Sequence, residues 1–173
     1  MATKNGALTA KELTHCAMLG ALFYIVFHMF ANILYVEAIT FSIFVCAQVF
    51  SRKEVVMACA LTGLLQLLFH GFMPWNVAYA LIFPGYALWF ATLKKAVKKH
   101  EWIAWINGAI AALFLGQLVD LPFILFDKKL TILYVLMGLK TSIIQAGIVF
   151  LEFVFLYDPF VRALKKIVRA GNR

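Results

Sequence analysis

The polar residues of this 173-residue chain gather where its apolar runs turn around. One connection carries Asn32, Tyr35 and Glu37. A second, FHGFMPWNVAYA, carries His70, Trp75, Asn76 and Tyr79, and a third, QLVDLPFILFDKK, carries Gln117, Asp120, Asp127 and Lys128. Carboxylates, amides, imidazoles and aromatic rings converging from three connections suit a site that holds a small molecule by hydrogen bonds and ring contacts. Trp and Tyr also collect at the headgroup level of membrane proteins, so Trp75 and Tyr35 fit either role. His70, Asn76, Gln117 and Asp120 sit at or inside the apolar boundary, where such a belt does not explain them. Lys140 lies within the last apolar run, in LMGLKTSIIQ. A charge at that depth is costly and marks function by default: it faces a cavity, pairs with Asp120, or lifts its ammonium toward the interface.

Other chemistries are compatible with single features. His28 and His70 are placed to ligate a b-type haem between the first and third spans, and His70 with Asp120 or Glu37 would make an intramembrane enzyme. No HExxH, GxSxG or paired-aspartate motif supports catalysis, and no GxxxxGK[ST] loop is present to hold ATP phosphates. Cys16, Cys46 and Cys59 lie in apolar runs without metal-ligand spacing and read as small buried hydrophobes. No metal and no resident cofactor is expected.

These residues need an apolar scaffold, and composition supplies one. The chain is 64% hydrophobic and 14% charged, with mean hydropathy +0.90, far from the roughly 25% charged content of soluble domains. An all-α, polytopic membrane protein follows, organised as one integral membrane domain over residues 1–173. No cleavable signal peptide is expected. A bilayer core needs about 20 apolar residues per helix, and residues 13–34, 55–72, 76–93, 102–121 and 131–157 meet that need. Residues 38–50 are apolar but cover only about 20 Å, so this span has to lean on the preceding connection, which dips inward. The expectation is a six-transmembrane-helix bundle.

Charge orients it. Lys4, Lys11, Arg52, Lys53, four lysines over 94–99, and Arg162, Lys165, Lys166, Arg169 and Arg173 all fall on one side of six spans. The positive-inside rule makes that side, and both termini, cytoplasmic. The net charge of +8 is thus a topology signal and an attraction to anionic lipid, and nucleic acid is not an expected partner.

Thr14, Ala17, Ala21, Tyr24 and His28 share one face of the first helix. Its beginning, with Gly20 alongside, is small and smooth, and small residues four apart let another backbone approach closely. This two-ended pattern resembles the S components, the substrate-binding membrane subunits of energy-coupling factor (ECF) transporters within the ABC class. The resemblance rests on the chain length, six helices, short loops, a basic tail, the TAKELT lead-in and Ala17-Met-Leu-Gly-Ala21 as AxxxA. It implies that Ala17, Gly20 and Ala21 dock on the EcfT transmembrane coupling subunit, which works with two EcfA-type ATPases. It further implies capture of a water-soluble vitamin outside the bacterial cytoplasmic membrane, over Asn32, Tyr35, Glu37, His70, Trp75, Asn76, Tyr79, Tyr86, Asp120 and Lys140. The signatures of the thiamine, riboflavin, biotin and folate members are absent. The aromatic mouth suits cobalamin, ranked slightly ahead of pantothenate, whose carboxylate would suit Lys140 and His70.

Overall fold

A computed structural model describes residues 8–30, 33 and 35–170. Among these the chain is all-helical, without strands. The order is α1 (Ala10–Phe30), α2 (Ala38–Val49), α3 (Arg52–His70), α4 (Pro74–Thr92), α5 (Lys94–Lys99), α6 (Trp102–Asp120), a 3-10 turn (Leu121–Leu125) and α7 (Lys128–Ala170). Four helices are long and apolar enough to cross a membrane: α1, α3, α6 with its 3-10 turn, and α7. α2 has only 12 residues, and α4, which carries Pro84 in its interior, falls outside that set.

Local chemistry fixes the helix ends. Ser51 caps α3 through a reciprocal box: its hydroxyl accepts from the Glu54 amide at 3.3 Å, and the Glu54 carboxylate accepts from the Ser51 amide at 2.8 Å. This starts α3 three residues ahead of the expected 55. Gly71, at φ 79°, closes the same helix in a conformation open to glycine, and Pro74 opens α4 at its first turn. The largest departure is α7. It was expected over 131–157 but runs unbroken to Ala170, passing Pro159, where one main-chain hydrogen bond is lost.

The helices alternate in direction. At one end His15 Nδ1 meets Glu54 Oε1 at 2.6 Å and Lys94 Nζ donates to the Phe50 carbonyl at 3.0 Å. At the other, His28 stacks on His70 and Trp75 on Phe123. The first end gathers the cations of α3, α5 and the tail of α7 and is hereafter the basic end. α2 is the central element: it touches α1, α3, α4, α6 and α7, and Ile39 through Gln48 are buried except for Ser42. Phe44 packs on Phe90, Phe153 and Tyr157 with centroids 4.6–6.0 Å apart. A helix apolar on every side belongs in such a position. Outside, Met18, Leu68, Leu125 and Phe155 are largely exposed, a surface suited to hydrocarbon rather than water.

Small residues let the helices close on one another. A Cβ added at Gly63 would lie 2.5 Å from Ala80 Cα, so α3 and α4 meet backbone to backbone. Gly63→Ala should therefore destabilise the protein by about 1–3 kcal/mol, because the obstructing atom is main chain and cannot swing aside. Gly85, on α4 with nothing near its Cβ position, provides the contrast: Gly85→Ala should leave stability unchanged or raise it by up to about 1 kcal/mol. Thermal unfolding of the detergent-purified variants checks both.

Candidate functional site

At the end opposite the cations, a cleft of about 310 Å³ opens beneath the connection between α1 and α2. Phe27 and Phe30 of α1 and Leu115 of α6 form apolar walls. Tyr35, Glu37, Tyr79, Thr141 and Gln145 supply the polar groups, and among the described residues no Lys, Arg or His lines it.

Glu37 is placed here by its task at the start of α2. It is the N-cap residue, and its Oε1 accepts from the Thr40 amide at 2.8 Å, meeting one of the unbonded N–H groups that every helix start exposes. Oε2 of Glu37 is buried without a partner, as are Thr40 Oγ1, Gln117 Oε1 and Glu152 Oε2. Tyr79 reaches the cleft from α4, its ring set against Phe27 at 4.8 Å and Phe83 at 5.2 Å. Tyr35 holds a φ of 66°, a left-handed conformation uncommon for a bulky residue.

Of the ten residues expected to contact a ligand, the cleft takes Tyr35, Glu37 and Tyr79. Asn32 lies outside the described residues. Asn76 is fully buried and spent on the α3–α4 turn: its amide donates to the His70 and Gly71 carbonyls at 3.2 and 2.8 Å, and its oxygen accepts from Gln66 at 2.9 Å. Tyr86 donates to the Ala111 carbonyl at 2.8 Å, tying α4 to α6. Trp75 stacks on Phe123 at 5.9 Å. Asp120 is half-buried at the end of α6, close to Gly138 of α7.

His70 lies against His28, with centroids 4.7 Å apart and planes at 26°. Rings stacked directly on each other leave no room for a macrocycle between them, which counts against the haem arrangement. Lys140 is exposed on α7, outside the cleft, and makes no ion pair with Asp120 among the described residues. Gly20 does not share the exposed face of Ala17 and Ala21. It is buried, and a Cβ there would meet Leu61 Cδ2 at 2.8 Å, so its smallness serves the contact of α1 with α3.

Two lining residues, Thr141 and Gln145, were not anticipated as ligand contacts. With Glu152 they follow a spacing of four and seven, one polar stripe along α7, and that stripe was the available signal. No protein-family model, curated protein or solved structure matches the chain at a significant level.

Two outcomes follow from this geometry. Glu37→Ala removes the acceptor that caps α2 and should lower stability by about 0.5–2 kcal/mol, whereas Glu37→Gln, which keeps an oxygen acceptor, should cost less; equal melting temperatures for parent and Glu37→Ala would mean that the cap contributes nothing. Lys140→Met should leave the melting temperature unchanged or raise it, since no carboxylate is stranded and an exposed charge among apolar neighbours is removed. A marked fall would reveal a partner for the ammonium.

Proposed function

We propose that the chain is an integral membrane protein of six spans, α1, α2, α3, α4, α6 and α7, with the basic end and both termini cytoplasmic. It acts as a substrate-capture subunit of the ECF S-component type in the bacterial cytoplasmic membrane. The observation that carries this reading is the cleft beneath the α1–α2 connection, lined by Glu37, whose buried Oε2 has no hydrogen-bond partner. An unpaired buried acceptor is costly, and a ligand bearing N–H or O–H groups would satisfy it. Ala17 and Ala21, exposed on α1 toward the opposite end, suit docking on a coupling subunit of the EcfT type. Partner ATPases of the EcfA type would then supply the energy.

The cleft narrows the ligand. Its volume of about 310 Å³ lies at the small end of the roughly 300–1,000 Å³ typical of pockets for drug-sized molecules, which disfavours cobalamin. A carboxylate such as that of pantothenate would face Glu37 with no lining cation to receive it. A compact vitamin, neutral or cationic and rich in donors, fits best. Tyr35, in the connection above the cleft, would close over it.

Mass spectrometry of small molecules co-purifying with the protein identifies the ligand. With that ligand, Ala17→Trp should abolish uptake in cells while leaving the dissociation constant of the purified protein within about twofold, because the bulk is added far from the cleft on a face reserved for close approach. Loss of binding equal to the loss of transport would overturn the two-ended reading.

A further inference from the structure

The basic end carries a second concavity that ligand capture does not use. A cleft of about 430 Å³ opens where α5, the start of α6 and the tail of α7 meet the end of α2. Five cations line it: Lys94, Lys98, Arg162, Lys165 and Arg169. Only two carboxylates do so, Asp158 and Glu101, and Asp158 is already engaged. Its Oδ1 accepts from Arg162 Nε at 2.8 Å, and its Oδ2 pairs with the same guanidinium. Glu101 is thus left facing four cations.

One of the four is held in place. Lys94 Nζ donates to the Phe50 carbonyl at 3.0 Å, at the end of α2. Partial burial and the nearby Lys165 pull the Lys94 ammonium below its usual range, with Glu54 acting in the other direction. Cations brought this close repel one another until an anion sits among them. Val49, Val97 and Val161 give the same cleft apolar walls, so it combines a cationic centre with a greasy flank.

We infer that this cleft binds the phosphate of an anionic phospholipid, the phosphodiester seated among Lys94, Lys98, Lys165 and Arg169 and the acyl chains lying along the apolar flank. Basic pockets between helices at the cytoplasmic face are suited to such headgroups, each nearby Lys or Arg contributing about 1 kcal/mol. A free phosphate offers the same charge but no use for the valine wall. The inference needs the basic end at a membrane surface and is independent of what the opposite cleft captures, so vitamin binding and lipid binding fail separately.

The test is native mass spectrometry and titration of the detergent-purified full chain with phosphatidylglycerol, with phosphatidylcholine as the neutral comparison. The triple variant Lys98→Gln, Lys165→Gln, Arg169→Gln removes three exposed cations of the cleft. Lys95→Gln, Lys99→Gln, Lys166→Gln removes the same charge from the same end outside it. The first should weaken phosphatidylglycerol binding roughly 10- to 100-fold and the second less than about threefold, with both retaining the parent melting temperature. Should the first triple not fold, Lys165→Gln alone should still weaken binding several-fold. Equal losses in the two triples, or undiminished binding in the first, would overturn the site. Full displacement of the lipid by millimolar inorganic phosphate would overturn the assignment to lipid in favour of a soluble anion.

Discussion

A helix with hydrocarbon on its flank gains little by moving a leucine from lipid to protein, so such a bundle must be held by close approach and interhelical hydrogen bonds. The meeting of Gly63 with Ala80 expresses this constraint, main chain against main chain. Much of the remaining packing follows the same logic. Thr62, one residue away, donates to the Gly20 carbonyl at 3.1 Å as well as to its own helix at 2.9 Å, fastening α1 to α3. Tyr86 does the same between α4 and α6. Large apolar side chains are accordingly free to face outward, and many do.

The same constraint decides which polar residues are available for chemistry. Asn76 looked like a ligand contact because it is polar near a turn, but it closes that turn by satisfying the carbonyls of His70, the last residue of α3, and of Gly71. Helix ends make this demand wherever they are buried. Glu37 meets it at a helix start yet keeps an oxygen in reserve, because a carboxylate has two oxygens and only one is engaged by the Thr40 amide. The polar residues at this end therefore divide by whether any acceptor capacity remains once the backbone is served. Distance from a membrane boundary does not make that division.

The helical class and the apolar runs were legible in the sequence, as were the smooth start of α1 and the shortness of α2, because run length and residue size are read directly. The rotation of each helix about its axis was not. Where a helix is apolar on almost every side, as α7 is around Lys140, periodicity leaves the inward face undefined. Lys140 and Thr141 are adjacent and about 100° apart on the helix, and the packing turns Thr141 to the cleft and Lys140 away. Gly20 shows the same ambiguity on α1: it sits between Ala17 and Ala21 in sequence but on the α3 side in space. The end of α7 was illegible for another reason. A proline usually stops a helix, but Pro159 stands where the amphipathic tail, apolar toward the core at Val161 and cationic outside, carries the helix onward.

The short second helix ties these observations together. Twelve residues rise only about 18 Å, too little for α2 to reach both faces of a bilayer unaided. Just before α2, Tyr35 takes a left-handed conformation, of a kind that costs on the order of 1–3 kcal/mol for a residue other than glycine. The first turn of α2, packed among its neighbours, needs an acceptor for its amides, and Glu37, itself buried, supplies it. One of its two oxygens remains without a partner. The residue needed to start a buried helix becomes the acid beside the cavity.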